Sequence, residues 1–299
     1  MSDKQQVISS WFARVWNAGD ESAVTALMAP TAKFHGMPTE PGGPIAGPAS
    51  FLPYFRMFRR AFPDIHIDVL RMVSQGDIVA AHCRVTGTHT GPGIVEKATG
   101  RAVAFEGMVF TEVRNGQIQE GWNCFDAQTL YTQLGHGEAA AADRKPETKP
   151  AGSGGAMNNA VGNAGDAGDA RVGVVQALYK AFFAGDVEGL MALLADDVTF
   201  ELPAMPGVPL ATVYRGKAGV RQFLADRAVV LTYNAFTPGR FLADRDQVIV
   251  IGETAGTVNA TGKPFGYKWV QLFEVTPDQR VRRFHEFMDT HALVKAFAG

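Results

Sequence analysis

The sequence predicts an α+β fold that occurs twice, as two cone-shaped barrels in tandem, each with a curved antiparallel sheet around a long helix. Three observations support this prediction. The same order of helices and strands occurs in both halves of the chain, each half contains long runs of alternating apolar and polar residues, and a segment almost without large apolar side chains separates the halves. A chain of 299 residues suits two domains of about 100–150 residues each.

The composition is that of a globular protein. Hydrophobic residues make up 46% of the chain and charged residues 19%, and the formal net charge is -2. Because the charges are scattered and form no basic stripe, nucleic acid is not expected as a partner. No run of about 20 apolar residues is present, so no membrane span is expected. The polar start of the chain does not resemble a signal peptide, which predicts a cytoplasmic protein whose Cys83 and Cys124 stay reduced.

The domain boundaries follow from a change in composition. Residues 136–170 are rich in Gly, Ala, Asn and Asp. Such a segment cannot bury enough apolar surface to offset the entropy cost of ordering it. We therefore predict a first domain at 1–135, a flexible linker at 136–170 and a second domain at 171–299.

Each half begins with an amphipathic helix that ends at a Gly-Asp pair, Gly19-Asp20 in the first half and Gly185-Asp186 in the second. The Gly terminates one helix and the Asp caps the next one. A second helix, a strand and a third helix follow in each half. They are expected at 23–28, at 32–37 and from Gly47 in the first half, and at 187–194, at 198–202 and from Gly216 in the second half.

Four long alternating runs complete each half, and strict alternation predicts strands with one buried face. The runs span 65–73, 78–88, 102–113 and 118–125 in the first half, and 235–242, 248–258, 265–275 and 281–288 in the second half. Because strands of this length coil under their own twist, the concave face of each sheet is expected to enclose a pocket for a mostly apolar molecule. A short helix after Asp126 or Asp289 closes each half.

Several segments resemble the SnoaL-like polyketide cyclases. In the first half these are residues 116–135, which read GQIQEGWNCFDAQTLYTQLG, together with 87–91 and 99–100. Segments of the second half resemble the ketosteroid-isomerase branch of the same nuclear transport factor 2-like superfamily, at 184–186, 194–198 and 214–216. The resemblance implies a cystatin-like, SnoaL-like fold and an enzyme without a cofactor. It also implies pairing through the outer sheet face, as an intramolecular pseudo-dimer or a homodimer.

The resemblance places the family's catalytic groups at positions that this sequence mostly does not match. The Asp of the cyclases falls at Asn123, which cannot transfer a proton at neutral pH, and a His of the cyclases falls near Val109. The three polar groups of the isomerases fall near Leu202, Leu178 and Gln271. The first domain is therefore expected to lack the cyclisation activity.

Glu286 is the strongest catalytic candidate, because it falls where the cyclases carry their Asp. Strand alternation places it on one face with Phe284 and Met288, so its side chain is expected to lie in the hollow of the second cone. The alternative is a carboxylate at the rim that pairs with Arg282 or Arg283.

Two further residues, Glu201 and Tyr179, lie one residue from family positions and are expected to assist Glu286. The candidate substrate-binding residues are His35, Asn123, Asp126, Asp289, Phe105 and Phe284. Asn123 is interpreted as a partner for a ligand carbonyl, and the two Asp residues have helix capping as an alternative role. Metal binding needs at least three converging ligands, and none of the strands offers a third, so no metal site is expected.

The sequence thus favours a cofactor-independent isomerase or lyase that acts by general acid/base catalysis in its second domain. The substrate would be a polyketide- or terpenoid-like small molecule, and the reaction a cyclisation, an isomerisation or an epoxide opening. Epoxide opening requires Glu201 and Glu286 to flank one pocket. The alternative from another class is a non-catalytic binding or scaffold protein with degenerate pockets.

Overall fold

The structure, a computed structural model, describes residues 1–37, 45–136 and 169–298. The chain divides into two compact units at Glu147. Most of the predicted linker, 136–170, lies outside the described residues. Among the described helices, none combines the length and the apolar content that crossing a bilayer requires.

Capping side chains mark the start of three of the four α-helices of the first domain, the exception being the helix that begins at Gly47. The four helices are α1 (Asp3–Ser10), which continues directly as a π-helical segment (Trp11–Asn17), then α2 (Glu21–Leu27), α3 (Gly47–Ala61) and α4 (Ala127–Leu134). Ser2 and Gln5 form a reciprocal capping box at the start of α1. The predicted cap of α2 is also present, because the Asp20 side chain accepts hydrogen bonds from the backbone N–H groups of Ser22 and Ala23.

Six strands form the sheet of the first domain. They are β1 (Met28–His35), β2 (Ile45–Ala46), β3 (His66–Gln75), β4 (Ile78–Thr88), β5 (Ala102–Arg114) and β6 (Gln117–Phe125). Their order in the sheet is β2-β1-β6-β5-β4-β3. Neighbouring strands are antiparallel except for β1 and β6, which are parallel.

The second domain repeats this arrangement. Its helices are α5 (Ala170–Ala184), α6 (Val187–Ala192), α7 (Gly216–Val230) and α8 (Thr290–Phe297). Its strands are β7 (Leu194–Glu201), β8 (Val213–Arg215), β9 (Leu231–Asp244), β10 (Gln247–Val258), β11 (Pro264–Val275) and β12 (Val281–Met288). The sheet order is β8-β7-β12-β11-β10-β9, and β12 and β7 are the parallel pair.

The repeated element order confirms the predicted tandem α+β fold. Two strands, β4 and β12, have the bounds that alternation predicted. The short strands β2 and β8 and the parallel pairs were not predicted, because a strand of two or three residues shows no alternation. Strand β1 begins at Met28, earlier than expected, since a shift of register between Met28 and Lys33 interrupts the alternation there.

Aromatic side chains fill the space between the helices and the concave face of the first sheet. Phe51 on α3 lies 5.1 Å from Trp11 and 5.6 Å from Phe34, measured between ring centroids. Trp16 meets Phe55 edge-on at 5.5 Å. These contacts hold α3 across the hollow of the sheet and leave the space beside them as the site of a pocket.

Candidate functional site

A pocket opens on the concave side of the first-domain sheet. Together with its open mouth it encloses about 700 Å³. Its walls are mostly aromatic and aliphatic, and the rings include Trp11, Trp16, Phe34, Phe51, Phe105 and Phe125. Three polar side chains, those of Tyr54, Thr111 and Asn123, are also part of the described lining. Such a pocket favours a largely apolar molecule with a few polar groups.

The pocket owes part of its space to Gly121 on β6. Gly121 lies opposite Thr111 on β5 and beside Phe34 on β1. A Cβ atom at Gly121 would lie 3.0 Å from the ring of Phe34, which is tighter than ordinary van der Waals contact. The absence of a side chain at this position therefore keeps the wall between Phe34 and Thr111 open.

Asn123 is the polar residue of the closing strand β6, and its amide is held by the end of β1. Its Nδ2 donates a hydrogen bond to the backbone carbonyl of His35 at 3.0 Å and lies 3.0 Å from Met37 Sδ. The chain turns at Gly36 with φ of 69°, and a Cβ atom there would collide with the carbonyl oxygen of Asn123. The geometry brings Asn123 to the lining of the pocket.

Two of the other predicted first-domain residues are close to the pocket wall or its closing helix. Phe105 is buried, lines the pocket and meets Phe125 edge-on at 6.1 Å. Asp126 caps α4, because its carboxylate accepts from the backbone N–H of Thr129 at 3.0 Å and from the Thr129 hydroxyl at 2.6 Å. Burial raises the pKa of the Asp126 carboxyl above its usual value.

His35 is not brought to the pocket. Its neighbour Phe34 faces the pocket, and alternation along β1 directs His35 to the other face of the sheet. On that face its Nε2 lies 2.7 Å from a carboxylate oxygen of Glu120, and its ring stacks on Trp122 at 5.2 Å. The structure thus places His35 among surface partners of β6.

In the second domain, Glu286 lies in the hollow of the cone with only 2% of its surface exposed. Arg227 Nη1 on α7 donates to Glu286 Oε2 at 3.2 Å, and Gln271 Nε2 on β11 donates to Glu286 Oε1 at 2.8 Å. The two arginines of the rim alternative have other partners. Arg282 pairs with Asp197 and Arg283 pairs with Glu201, each at 2.7 Å.

Tyr179 joins this buried network through Gln271. Its hydroxyl donates to Gln271 Oε1 at 2.6 Å. Burial, and then the negative charge of Glu286, raises the pKa of Tyr179 well above its usual value. On the other side of the network Arg227 Nε donates to the hydroxyl of Tyr233, whose pKa burial raises to about 12. The hydroxyls thus stay protonated and serve as neutral hydrogen-bonding groups.

Glu201 is not part of this network. Phe200 packs on Phe284 at 4.6 Å inside the cone, so the next residue, Glu201, faces the opposite side of the sheet. There Glu201 pairs with Arg283 at 2.7 Å and lies 3.6 Å from His285. The structure therefore does not bring Glu201 and Glu286 to one pocket, which the epoxide-opening alternative requires.

The remaining predicted residues have packing or surface positions. Phe284 is buried and lies 5.3 Å from Phe273 on β11, in addition to its contact with Phe200. Asp289 is exposed and directly precedes α8. Phe284 thus packs in the core of the second domain, and Asp289 lies at its surface.

Arg227 is the member of this buried network that the sequence did not predict. It lies 59 positions before Glu286, on a different element. The signal for its burial was present, because Val220, Phe223 and Arg227 follow the i, i+3, i+7 spacing of the buried face of α7. A charged residue on an apolar helix stripe requires a buried partner of opposite charge.

Comparison with known proteins agrees with the tandem architecture. The model of the SnoaL-like polyketide cyclases matches residues 6–134, and that of the SnoaL-like domain matches residues 175–284. An NTF2-like protein from Burkholderia xenovorans LB400 is 29% identical, covers 43% of this chain and 95% of its own, and has a TM-score of 0.40. IdmH, a candidate polyketide cyclase from Streptomyces antibioticus, is 29% identical, covers 45% of this chain and 99% of its own, and has a TM-score of 0.40.

A search of curated proteins found no match. The two family models, however, cover most of the described parts of both domains. The chain carries two SnoaL-like domains in tandem.

Proposed function

We propose that the protein binds an apolar, polyketide- or terpenoid-like small molecule in the pocket of the first domain. The observation that carries this proposal is the pocket on the concave side of the first sheet, with its walls of aromatic rings. Pockets for small ligands are lined mainly by hydrophobic and aromatic side chains with a few polar groups. In this proposal Phe105 packs against the ligand, and Asn123 forms a hydrogen bond with it.

Binding, rather than acid/base chemistry, is proposed for this domain because of the residue types in the pocket. The described lining contains aromatic, aliphatic and neutral polar side chains, and within it there is neither a carboxylate nor an imidazole. A general acid or base must reach the proton that it transfers. The neutral amide of Asn123 at the family's catalytic position orients a ligand but does not exchange a proton with it.

The variant Gly121→Phe tests this proposal. The second domain carries a phenylalanine at the position equivalent to Gly121. In the variant, the phenylalanine ring is expected to occupy the pocket of the first domain. We expect the variant to lose binding of N-phenylnaphthylamine, an uncharged fluorescent probe, while its circular dichroism spectrum stays that of the wild type. The matched control is Gly173→Phe, where a Cβ atom would meet no atom within 4 Å. Unchanged probe binding in a folded Gly121→Phe variant would show that this pocket is not the site.

A second candidate function, proton transfer in the second domain, is favoured by the buried network around Glu286. We propose here general acid/base catalysis without a cofactor, as in an isomerase or a cyclase. Glu286 is the proton-transfer group in this proposal. Tyr179 holds the amide of Gln271 in the orientation that donates a hydrogen bond to Glu286. A substrate would have to replace the contact between Arg227 and Glu286 before a proton could be exchanged.

Tyr179→Phe tests the second candidate. The probe is a β,γ-unsaturated ketosteroid, whose isomerisation to the conjugated enone gives a new ultraviolet absorbance. If the network acts in catalysis, loss of this hydroxyl should lower the rate by about 100-fold. The control is Tyr214→Phe, which removes a hydroxyl that bonds to Asp226 outside the network. Equal rates in the wild type and in Tyr179→Phe would count against catalysis at this place.

A further inference from the structure

The amide of Asn123 has a fixed orientation in the first-domain pocket. A backbone carbonyl oxygen can only accept a hydrogen bond, so the side-chain atom 3.0 Å from the carbonyl of His35 is the amide nitrogen. The same nitrogen lies 3.0 Å from Met37 Sδ, a weak acceptor. A flipped amide would place two oxygens face to face. Both hydrogens of Nδ2 are thus engaged by His35 and Met37, and Oδ1 is the polar atom that Asn123 offers to a ligand.

Thr111, on the neighbouring strand, has the same polarity. Its hydroxyl donates its one hydrogen to the backbone carbonyl of Val79 at 3.3 Å, so only the lone pairs of its oxygen remain, as acceptors. Among the described lining residues contributed by the sheet, Asn123 and Thr111 carry the polar side chains. The lining side chains with other N–H or O–H groups belong to the helical wall, where Trp11, Trp16 and Tyr54 lie.

From this polarity we infer that Asn123 accepts a hydrogen bond from the ligand, so that the pocket selects molecules that carry a hydroxyl group at the end facing β6. This inference rests on the proposed binding function and specifies its ligand class. It reverses the interpretation of Asn123 as a partner for a ligand carbonyl, because a carbonyl and Oδ1 would both be acceptors. An ether or a ketone at this end leaves Oδ1 desolvated without a donor, which is unfavourable.

A matched series of two-ring probes tests the inference by isothermal titration calorimetry. The series is naphthalene, 2-naphthol, its methyl ether and the corresponding methyl ketone, which share the ring system and differ at one substituent. We expect the full-length wild type to bind the naphthol about tenfold more tightly than the ether or the ketone. In Asn123→Leu, which keeps the size of the side chain and removes Oδ1, this preference should fall to about twofold or less.

The outcomes separate the inference from the proposed function. A ketone that binds as tightly as the naphthol in the wild type would overturn the inference by showing that Asn123 donates. Equal binding of all four probes, abolished by Gly121→Phe, would overturn the inference and leave the pocket's binding function standing. If none of the four probes binds the wild type, both are overturned. The ranking in the wild type does not depend on how well Asn123→Leu folds.

Discussion

The closing strands of the two domains carry different residues at the same places, and this difference changes how side chains fill each hollow. Gly121 on β6 pairs with Phe34 on β1, and the equivalent pair in the second domain is Phe284 with Phe200. On the other side, Gly121 faces Thr111, whereas Phe284 faces Phe273. Within one fold, two small residues thus leave a pocket where two phenylalanines build a core.

The next inward-facing position along the closing strand, two residues further on, shows a second contrast. Asn123 is opposite Val109, and Glu286 is opposite Gln271. The amide needs one backbone carbonyl as its partner, but the buried carboxylate needs Arg227 and Gln271 together. Buried ion pairs add little net stability, because desolvation offsets most of the attraction, yet they are costly to break. Removing the charge of Glu286 from the second domain is therefore expected to be costly.

The largest effect that we predict is for Glu286→Gln. This variant removes the negative charge and leaves the guanidinium of Arg227 buried without compensation. The second domain should lose about 3–5 kcal/mol of its free energy of unfolding. Urea denaturation followed by tryptophan fluorescence measures this loss.

The double variant Arg227→Met with Glu286→Leu is the control for this prediction. It replaces both charges by apolar groups of similar size, so most of the lost stability should return. A single Glu286→Gln variant that unfolds at the wild-type urea concentration would show that the pair is not buried in solution. In that case the contrast between the two closing strands would reduce to side-chain size.

An intermediate effect is expected for Phe284→Ala, which removes the ring that the first domain lacks. The contacts of Phe284 with Phe200 and Phe273 are lost, and the second domain should be destabilised by about 3 kcal/mol. The cavity is apolar and is expected to stay dry and to take up benzene. Thermal denaturation with and without benzene measures both effects. A variant without a benzene-dependent shift of Tm would mean that the surrounding side chains collapse into the space.

The sequence predicted those parts of the molecule that follow from alternation and capping. Strands β4 and β12 have the expected bounds, and alternation correctly placed Glu286 on the inner face of β12. The same rule, applied to Phe34 and Phe200, places His35 and Glu201 on the outer faces. The family resemblance drew attention to His35 and Glu201. The alternation of side chains along a strand, however, determines which face of the sheet each side chain lies on.

The partners of the buried groups were not predictable in the same way. Arg227 meets Glu286 only because α7 crosses the hollow of the sheet, and no local pattern encodes that crossing. The orientation of the Asn123 amide likewise depends on the carbonyl of His35, which lies 88 positions away in the sequence. The difference in side-chain size was visible in the sequence, since Gly121 and Phe284 occupy the same place when the two halves are aligned. Their consequence became clear only with the pairing of Phe34 and Phe200 known.

The smallest effect is predicted for Asp126, a carboxylate whose hydrogen bonds come from Thr129 rather than from an arginine. Burial raises its pKa in the folded state above the unfolded value of about 3.9, so the native state binds more protons between these two values. Stability of the first domain should therefore fall as the pH rises through this window and level off above it. Asp126→Asn keeps an N-cap without a titrating group, and the pH dependence of its urea midpoint should lose this component.

Asp20 provides a control of opposite sign in the same domain. Hydrogen bonds from Ser22, and then from Arg14, lower the pKa of Asp20 to about 2, so its contribution is present above the unfolded pKa and is lost as the pH falls towards 2. Asp20→Asn should therefore remove a stability that rises with pH, where Asp126→Asn removes one that falls. Equal changes in the pH dependence of the urea midpoint, each measured against the wild type, would mean that burial does not distinguish the two caps. Opposite changes of slope relative to the wild type would show that a carboxylate buried without a cation, as in Asp126, opposes its own ionisation.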